Sequence, residues 1–262
     1  MNNNLNFWDQ PNCHWDDTAH KDGSGQRVTK ELVRQFAQNL FEHLEEASDL
    51  LDVFAVRPQE RWLYGLVSRS LEHNILTRTD FLLTEVPVPR NGGNGRVDFM
   101  FSYRNWLFLL ELKATGCGAI GRGEIPSGHR VCTHWADGEQ GAVSQLRTLT
   151  AEDMEDFMSI ARTRKLRGII RLPVLLCSYF VTSSKEDDGR WITEKVKEVT
   201  PEDLYERHAA VKTAIRSSEL AAFIARPPKK VEPRRGKKVE WRATVGYGLF
   251  AGAMDFLPFQ EA

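Results

Sequence analysis

Trp106-Leu107-Phe108-Leu109-Leu110-Glu111-Leu112-Lys113 is apolar at every position up to Leu110, after which charges arrive at alternate residues. An unbroken apolar run of this length reads as a β-strand covered on both faces. Side chains alternate along a strand, so Glu111 and Lys113 share one face while Leu110 and Leu112 occupy the other. A carboxylate and an ammonium then stand side by side where ordinary surface is not expected. Just upstream, Gly95-Arg96-Val97-Asp98-Phe99 opens a second strand that runs to Tyr103. As neighbours, the two strands bring Asp98 towards Glu111 and Lys113. Two carboxylates converging near a lysine can hold a divalent cation and place a water beside it, the equipment for hydrolysing a phosphodiester.

Working outward, a strand is expected over residues 81–88, joined to the Asp98 strand by Asn91-Gly92-Gly93-Asn94-Gly95. Asn and Gly there supply the positive φ values of a hairpin turn. Before it, Pro58 followed by Leu63, Leu66, Val67 and Leu71 predicts a helix with one buried face over 58–74. Earlier still, Leu32, Val33, Phe36, Leu40, Phe41, Leu44, Leu51 and Phe54 recur at helical spacing. Downstream, helices are expected at 139–149 and 151–165, the second opened by the capping sequence Thr150-Ala151-Glu152-Asp153. Leu172-Pro173-Val174-Leu175-Leu176-Cys177-Ser178-Tyr179-Phe180-Val181 reads as another buried strand, and Thr200-Pro201-Glu202-Asp203 starts a further helix. The order is helix, three strands, helix, strand, an α/β pattern with a central mixed sheet flanked by helices.

Asp98 with Glu111-x-Lys113, in that element order, resembles the active site of the PD-(D/E)XK nuclease superfamily, the fold of many restriction enzymes, Holliday-junction resolvases and RecB-type exonucleases. The resemblance implies a restriction endonuclease-like αβββαβ core with N-terminal helical and C-terminal additions. It implies Mg2+ or Mn2+ held by Asp98, Glu111 and the Leu112 backbone carbonyl, with Lys113 activating or orienting the attacking water. Val97 stands where the family has proline, a replacement that it tolerates. The family also places a glutamate on an upstream helix, for which Glu60 is preferred over Glu72 because it lies near the helix beginning. Glu60 would orient the site or help hold a second cation. The family's downstream helical Gln-Leu step is matched by Gln145-Leu146, with Gln140 the weaker choice. A nucleic-acid substrate follows, DNA ahead of RNA, and superfamily nucleases often pair subunits, so a homodimer or larger complex fits, although no interface is legible. The alternative is a nuclease fold that has lost turnover and binds nucleic acid or a partner protein.

Residues 115–138 read as a long glycine-rich loop, either a flap that orders on substrate or a structureless segment. Within it Gly116-Cys117-Gly118-Ala119-Ile120-Gly121 matches GxGxxG. Gly123, Pro126 and Gly128 follow where a dinucleotide-binding turn would open into a helix, so that reading fails. Cys117, His129, Cys132 and His134 lie in the same loop, and Cys13, His14 and His20 near the N-terminus. None has the spacing of a specific zinc motif, and scattered surface His with buried Cys is the default. Basic residues gather at Arg162, Arg164, Lys165, Arg167 and Arg171, and again in the proline-rich stretch 226–238. The second could follow a phosphate backbone or be a solvated linker.

With 262 residues, 41% of them hydrophobic, the chain can bury one sizeable core. The expected division is a polar N-terminal arm at 1–27, a helical segment at 28–57, the nuclease-like core at 58–225, and a basic loop with a returning C-terminal strand at 226–262. A formal net charge of −1 gives no global attraction to nucleic acid, so any phosphate-binding surface must be local. The start of the chain has no secretory signature, no apolar run reaches membrane-spanning length, and four scattered cysteines fit a reducing cytoplasm.

Overall fold

The computed structural model describes residues 14–17, 24–47, 60–90, 93–119, 124–136, 141–183, 196–215, 220–225, 232–234 and 240–258. The strands are β1 (His14–Asp17), β2 (Leu82–Arg90), β3 (Gly93–Tyr103), β4 (Trp106–Gly118), β5 (Gly168–Ser183), β6 (Leu220–Ala225), β7 (Glu232–Arg234), β8 (Glu240–Ala251) and β9 (Asp255–Pro258). The helices are α1 (Ser24–Glu46), α2 (Glu60–Glu72), α3 (Arg130–Trp135), α4 (Ala142–Arg147), α5 (Ala151–Thr163) and α6 (Pro201–Ile215). The strands form one mixed sheet in the order β1-β6-β8-β5-β4-β3-β2, with β7 paired to β8 and β9 to β5. Every described pairing is antiparallel except β4 with β5.

Parallel pairing demands a crossover, and α3, α4 and α5 supply it between β4 and β5. These helices cover one face of the sheet: Leu146, Leu149 and Phe157 pack with Leu107, Leu109 and Ile169. The opposite face carries α1 and α2, whose Leu32, Phe36, Leu40, Leu63 and Val67 pack on Phe99, Phe101, Phe108, Leu110 and Leu112. The two apolar faces of β4 thus belong to two layers, which is why its sequence shows no polar alternation before Glu111. Capping of α5 is as its sequence predicts, with Thr150 and Asp153 exchanging side-chain and backbone hydrogen bonds.

Pro173 lies in the middle of β5, where a missing N–H would ordinarily break a ladder. On the side away from β4, β5 pairs with β9 only up to Arg171 and with β8 only from Val174, so Pro173 falls in the gap between the two partners. On β8, Gly248 makes room for a buried pair: a Cβ there would lie 2.5 Å from the Tyr179 hydroxyl and 2.9 Å from His208 Nδ1. That hydroxyl and Nδ1 are hydrogen-bonded at 2.9 Å.

Several boundaries differ from the sequence expectation. Within the stretch read as a polar arm, His14–Asp17 forms β1 and pairs with β6. The glycine loop begins later than expected, because β4 continues to Gly118 along β5, and α3 interrupts the remainder. Gly116 and Gly118 are therefore strand residues, which removes the GxGxxG turn altogether. Glu232–Arg234, inside the proline-rich basic stretch, pairs with β8; the rest of that stretch, with Cys13, His20, Leu51, Phe54 and Gln140, lies outside the described residues.

Candidate active site

The β3–β4 pairing ends at Phe99↔Leu110. One further step in that register would face Asp98 to Glu111, but the strands have parted, and the Asp98 carboxylate fills the opening. Its Oδ2 accepts the Leu112 N–H at 2.8 Å. Its Oδ1 accepts the hydroxyl of Tyr64, which arrives from α2 on the Leu112 face of the sheet. The Tyr64 ring also meets Phe99 edge-on, with centroids 5.1 Å apart. Two charge-assisted hydrogen bonds hold this carboxylate, which is only 8% exposed.

Glu111 and Lys113 lie on the other face, beneath the crossover helices. Lys113 Nζ donates to Glu111 Oε1 at 2.9 Å, with the two side chains 11% and 3% exposed. In a strand the N–H and C=O of one residue point to the same edge. Because the Leu112 N–H points at Asp98, the Leu112 carbonyl points there too, along the edge that β3 has vacated. Asp98 and the Leu112 backbone carbonyl thus share the point where β3 leaves β4, and the Glu111–Lys113 pair flanks Leu112 on the opposite face.

Tyr64 also decides which end of α2 is near. Glu60 opens α2 four residues before Tyr64, its side chain lying outside the described ones, whereas Glu72 ends the helix, exposed, more than two turns beyond. Tyr64, in the N-terminal half of α2, is the α2 residue that meets Asp98 among the described contacts. Gln145 lies on α4, whose Leu146 packs on Leu107 and Leu109, so it comes from the layer that covers Glu111 and Lys113. Tyr64 itself was not singled out in the sequence. A tyrosine one turn after a candidate acid is the only signal that could have found it.

Among the described residues no three His, Cys, Asp or Glu side chains gather as a metal-binding group. The described donors are two carboxylates and the Leu112 carbonyl. Hard oxygen ligands of that number suit Mg2+ or Mn2+, which keep several waters, rather than zinc. The Cys and His of the former loop go elsewhere. His129 caps α3 by accepting the Val131 N–H at 3.2 Å, His134 Nδ1 lies 3.2 Å from the Ala114 carbonyl, and the Cys132 thiol lies 3.6 Å from Pro126 O.

Cys117 sits further along β4, buried, with Arg207 Nε 3.2 Å from its sulfur. A hydrogen bond from Cys177, and after it the Arg207 guanidinium, outweigh burial and lower the thiol from 9.0 to about 7. A depressed acid stabilises the fold above its unfolded pKa and loses that contribution as pH falls through the folded one. The melting temperature of the wild type should therefore rise relative to Cys117→Ser between pH 7 and 9. Parallel melting curves across that window would count against an ionised Cys117.

Of the basic cluster, Arg164, Lys165 and Arg167 are exposed, Arg162 pairs with Glu155 at 3.4 Å, and Arg164 lies over the Phe81 ring. Arg171 turns inward, donating to Leu146 O at 2.9 Å; burial first, and then Arg147, lower its pKa. No described helix is long and apolar enough to cross a membrane. Comparison with protein-family models, curated proteins and solved structures returns no match.

Removing the Tyr64 hydroxyl should isolate its contribution. Tyr64→Phe is expected to stay folded, lose about 1–2 kcal/mol of stability, and cut any Asp98-dependent activity about 10- to 100-fold. Urea unfolding and initial rates measure the two separately; an unchanged rate would detach Tyr64 from the site.

Proposed function

We propose that this chain is a metal-dependent nuclease with a restriction endonuclease-like core, hydrolysing phosphodiester bonds in nucleic acid, DNA ahead of RNA. One observation carries the reading: a nearly buried Glu111–Lys113 ion pair flanks Leu112, the residue whose N–H the buried Asp98 carboxylate accepts where two strands part. A buried ion pair is poor stabilisation, since well-packed apolar residues of the same volume are as good or better. Charges retained in such a place are better explained by chemistry than by folding. The order α2, β2, β3, β4, crossover helices and β5 supports the αβββαβ core. The arrival of the first turns of α2 at Asp98 supports Glu60 as the upstream acid.

Asp98, Glu111 and the Leu112 carbonyl would hold Mg2+ or Mn2+, with Glu60 orienting the site or assisting a second cation. When bound, such a cation lowers the pKa of its water and neutralises charge on the phosphate. Lys113, an ammonium pinned by Glu111, donates to the attacking water or to a phosphate oxygen and fixes its direction. Gln145, on α4 in the layer above, would contact the same water or the adjacent phosphate.

Purified protein incubated with single-stranded, duplex and branched DNA and with RNA, in Mg2+, Mn2+ or EDTA, tests the reading. Cleavage of at least one substrate that EDTA abolishes is expected. Absence of cleavage in both metals would overturn it.

A further inference from the structure

Among the described carboxylates of the proposed site, Glu111 accepts from the Lys113 ammonium and Asp98 accepts hydrogen bonds at both oxygens, so a neutral acceptor beside them would complement the site. A side chain on the vacated edge of β4 meets the need. Ala114 is two residues along from Leu112, so its carbonyl points to the same edge, about 7 Å away. His134 on α3 bonds that carbonyl through Nδ1 at 3.2 Å. A carbonyl only accepts, so Nδ1 donates this bond, and in the neutral ring Nε2 is the acceptor. Burial of Val131, Cys132 and Trp135 fixes the rotation of α3 and with it the partly exposed His134.

We infer that His134 is the general base of the proposed hydrolysis, an inference that rests on the nuclease reading. The attacking water gives one proton to Nε2 as its oxygen forms the new P–O bond. The P–O bond to the leaving oxygen breaks with its electron pair passing to that oxygen, which takes a proton from solvent. The imidazolium then returns its proton to solvent. The Ala114 carbonyl holds the ring in the required tautomer, as a backbone or carboxylate acceptor does for other catalytic histidines.

The test compares wild type, His134→Gln and His134→Ala on the best substrate from the cleavage survey. Glutamine can still donate to the Ala114 carbonyl but cannot take up the proton. Both variants are expected to lose about 10²- to 10³-fold in kcat with KM and circular dichroism unchanged, and added imidazole should restore His134→Ala at least about tenfold. His134→Gln with wild-type kcat, a defect confined to KM, or a kcat loss that imidazole does not relieve would each overturn the assignment and leave the nuclease reading intact. A wild type inactive on every substrate would overturn both.

Discussion

Lys113→Met should destabilise the protein by about 3–5 kcal/mol, the usual loss when one member of a buried ion pair is removed. The methionine fills nearly the same volume, so the loss does not come from a cavity. It comes from leaving Glu111, whose side chain is 3% exposed, without the ammonium 2.9 Å away. The double variant Glu111→Gln/Lys113→Met removes both charges and should recover most of that loss, because the pair contributes little net stability against neutral groups of similar shape. Urea unfolding with matched m-values reads the difference. A single-variant loss under about 1 kcal/mol would mean that the pair is solvated like an ordinary surface bridge, and the argument from buried charge would fail.

Asp98→Ala should abolish cleavage, by about 10³-fold or more, while destabilising the fold by only about 1–3 kcal/mol. The stability term comes from leaving the Leu112 N–H and the Tyr64 hydroxyl without their shared acceptor. The activity term comes from removing one of two carboxylates that would hold the cation. Asp98→Asn separates the two: its amide oxygen can still accept one of these hydrogen bonds, so stability should fall less, yet the lost charge should leave activity as low. Parallel measurement of melting temperature and single-turnover rate checks both terms. If Asp98→Asn cleaved at the wild-type rate, the carboxylate would be structural.

What could be read beforehand followed from local chemistry. The run from Trp106 to Leu110 shows its strand and its double burial directly, because nothing but packing on both faces explains an unbroken apolar segment. Glu111 and Lys113 could be placed on one face by strand period alone, and their 2.9 Å ion pair lies where that period puts it. β1 was not legible: His14-Trp15-Asp16-Asp17 is a short polar edge strand whose partner, β6, comes from the far end of the chain. The extension of β4 to Gly118 was hidden for a related reason. Glycines look like a loop locally, and only the neighbouring β5 makes them strand. Tyr64 at Asp98 and His134 at Ala114 are side-chain meetings between elements distant in sequence, which no periodicity encodes. The sequence offers His134 as a surface histidine or a zinc ligand, and its carbonyl partner appears only once α3 packs on β4.

The most direct measurement is cleavage of end-labelled DNA by wild type, Asp98→Ala and Lys113→Ala, purified identically, in Mg2+ and in EDTA. Products are expected with wild type in Mg2+ alone, and none with either variant or with EDTA. Equal cleavage by all three proteins, or none by any, would contradict the nuclease reading.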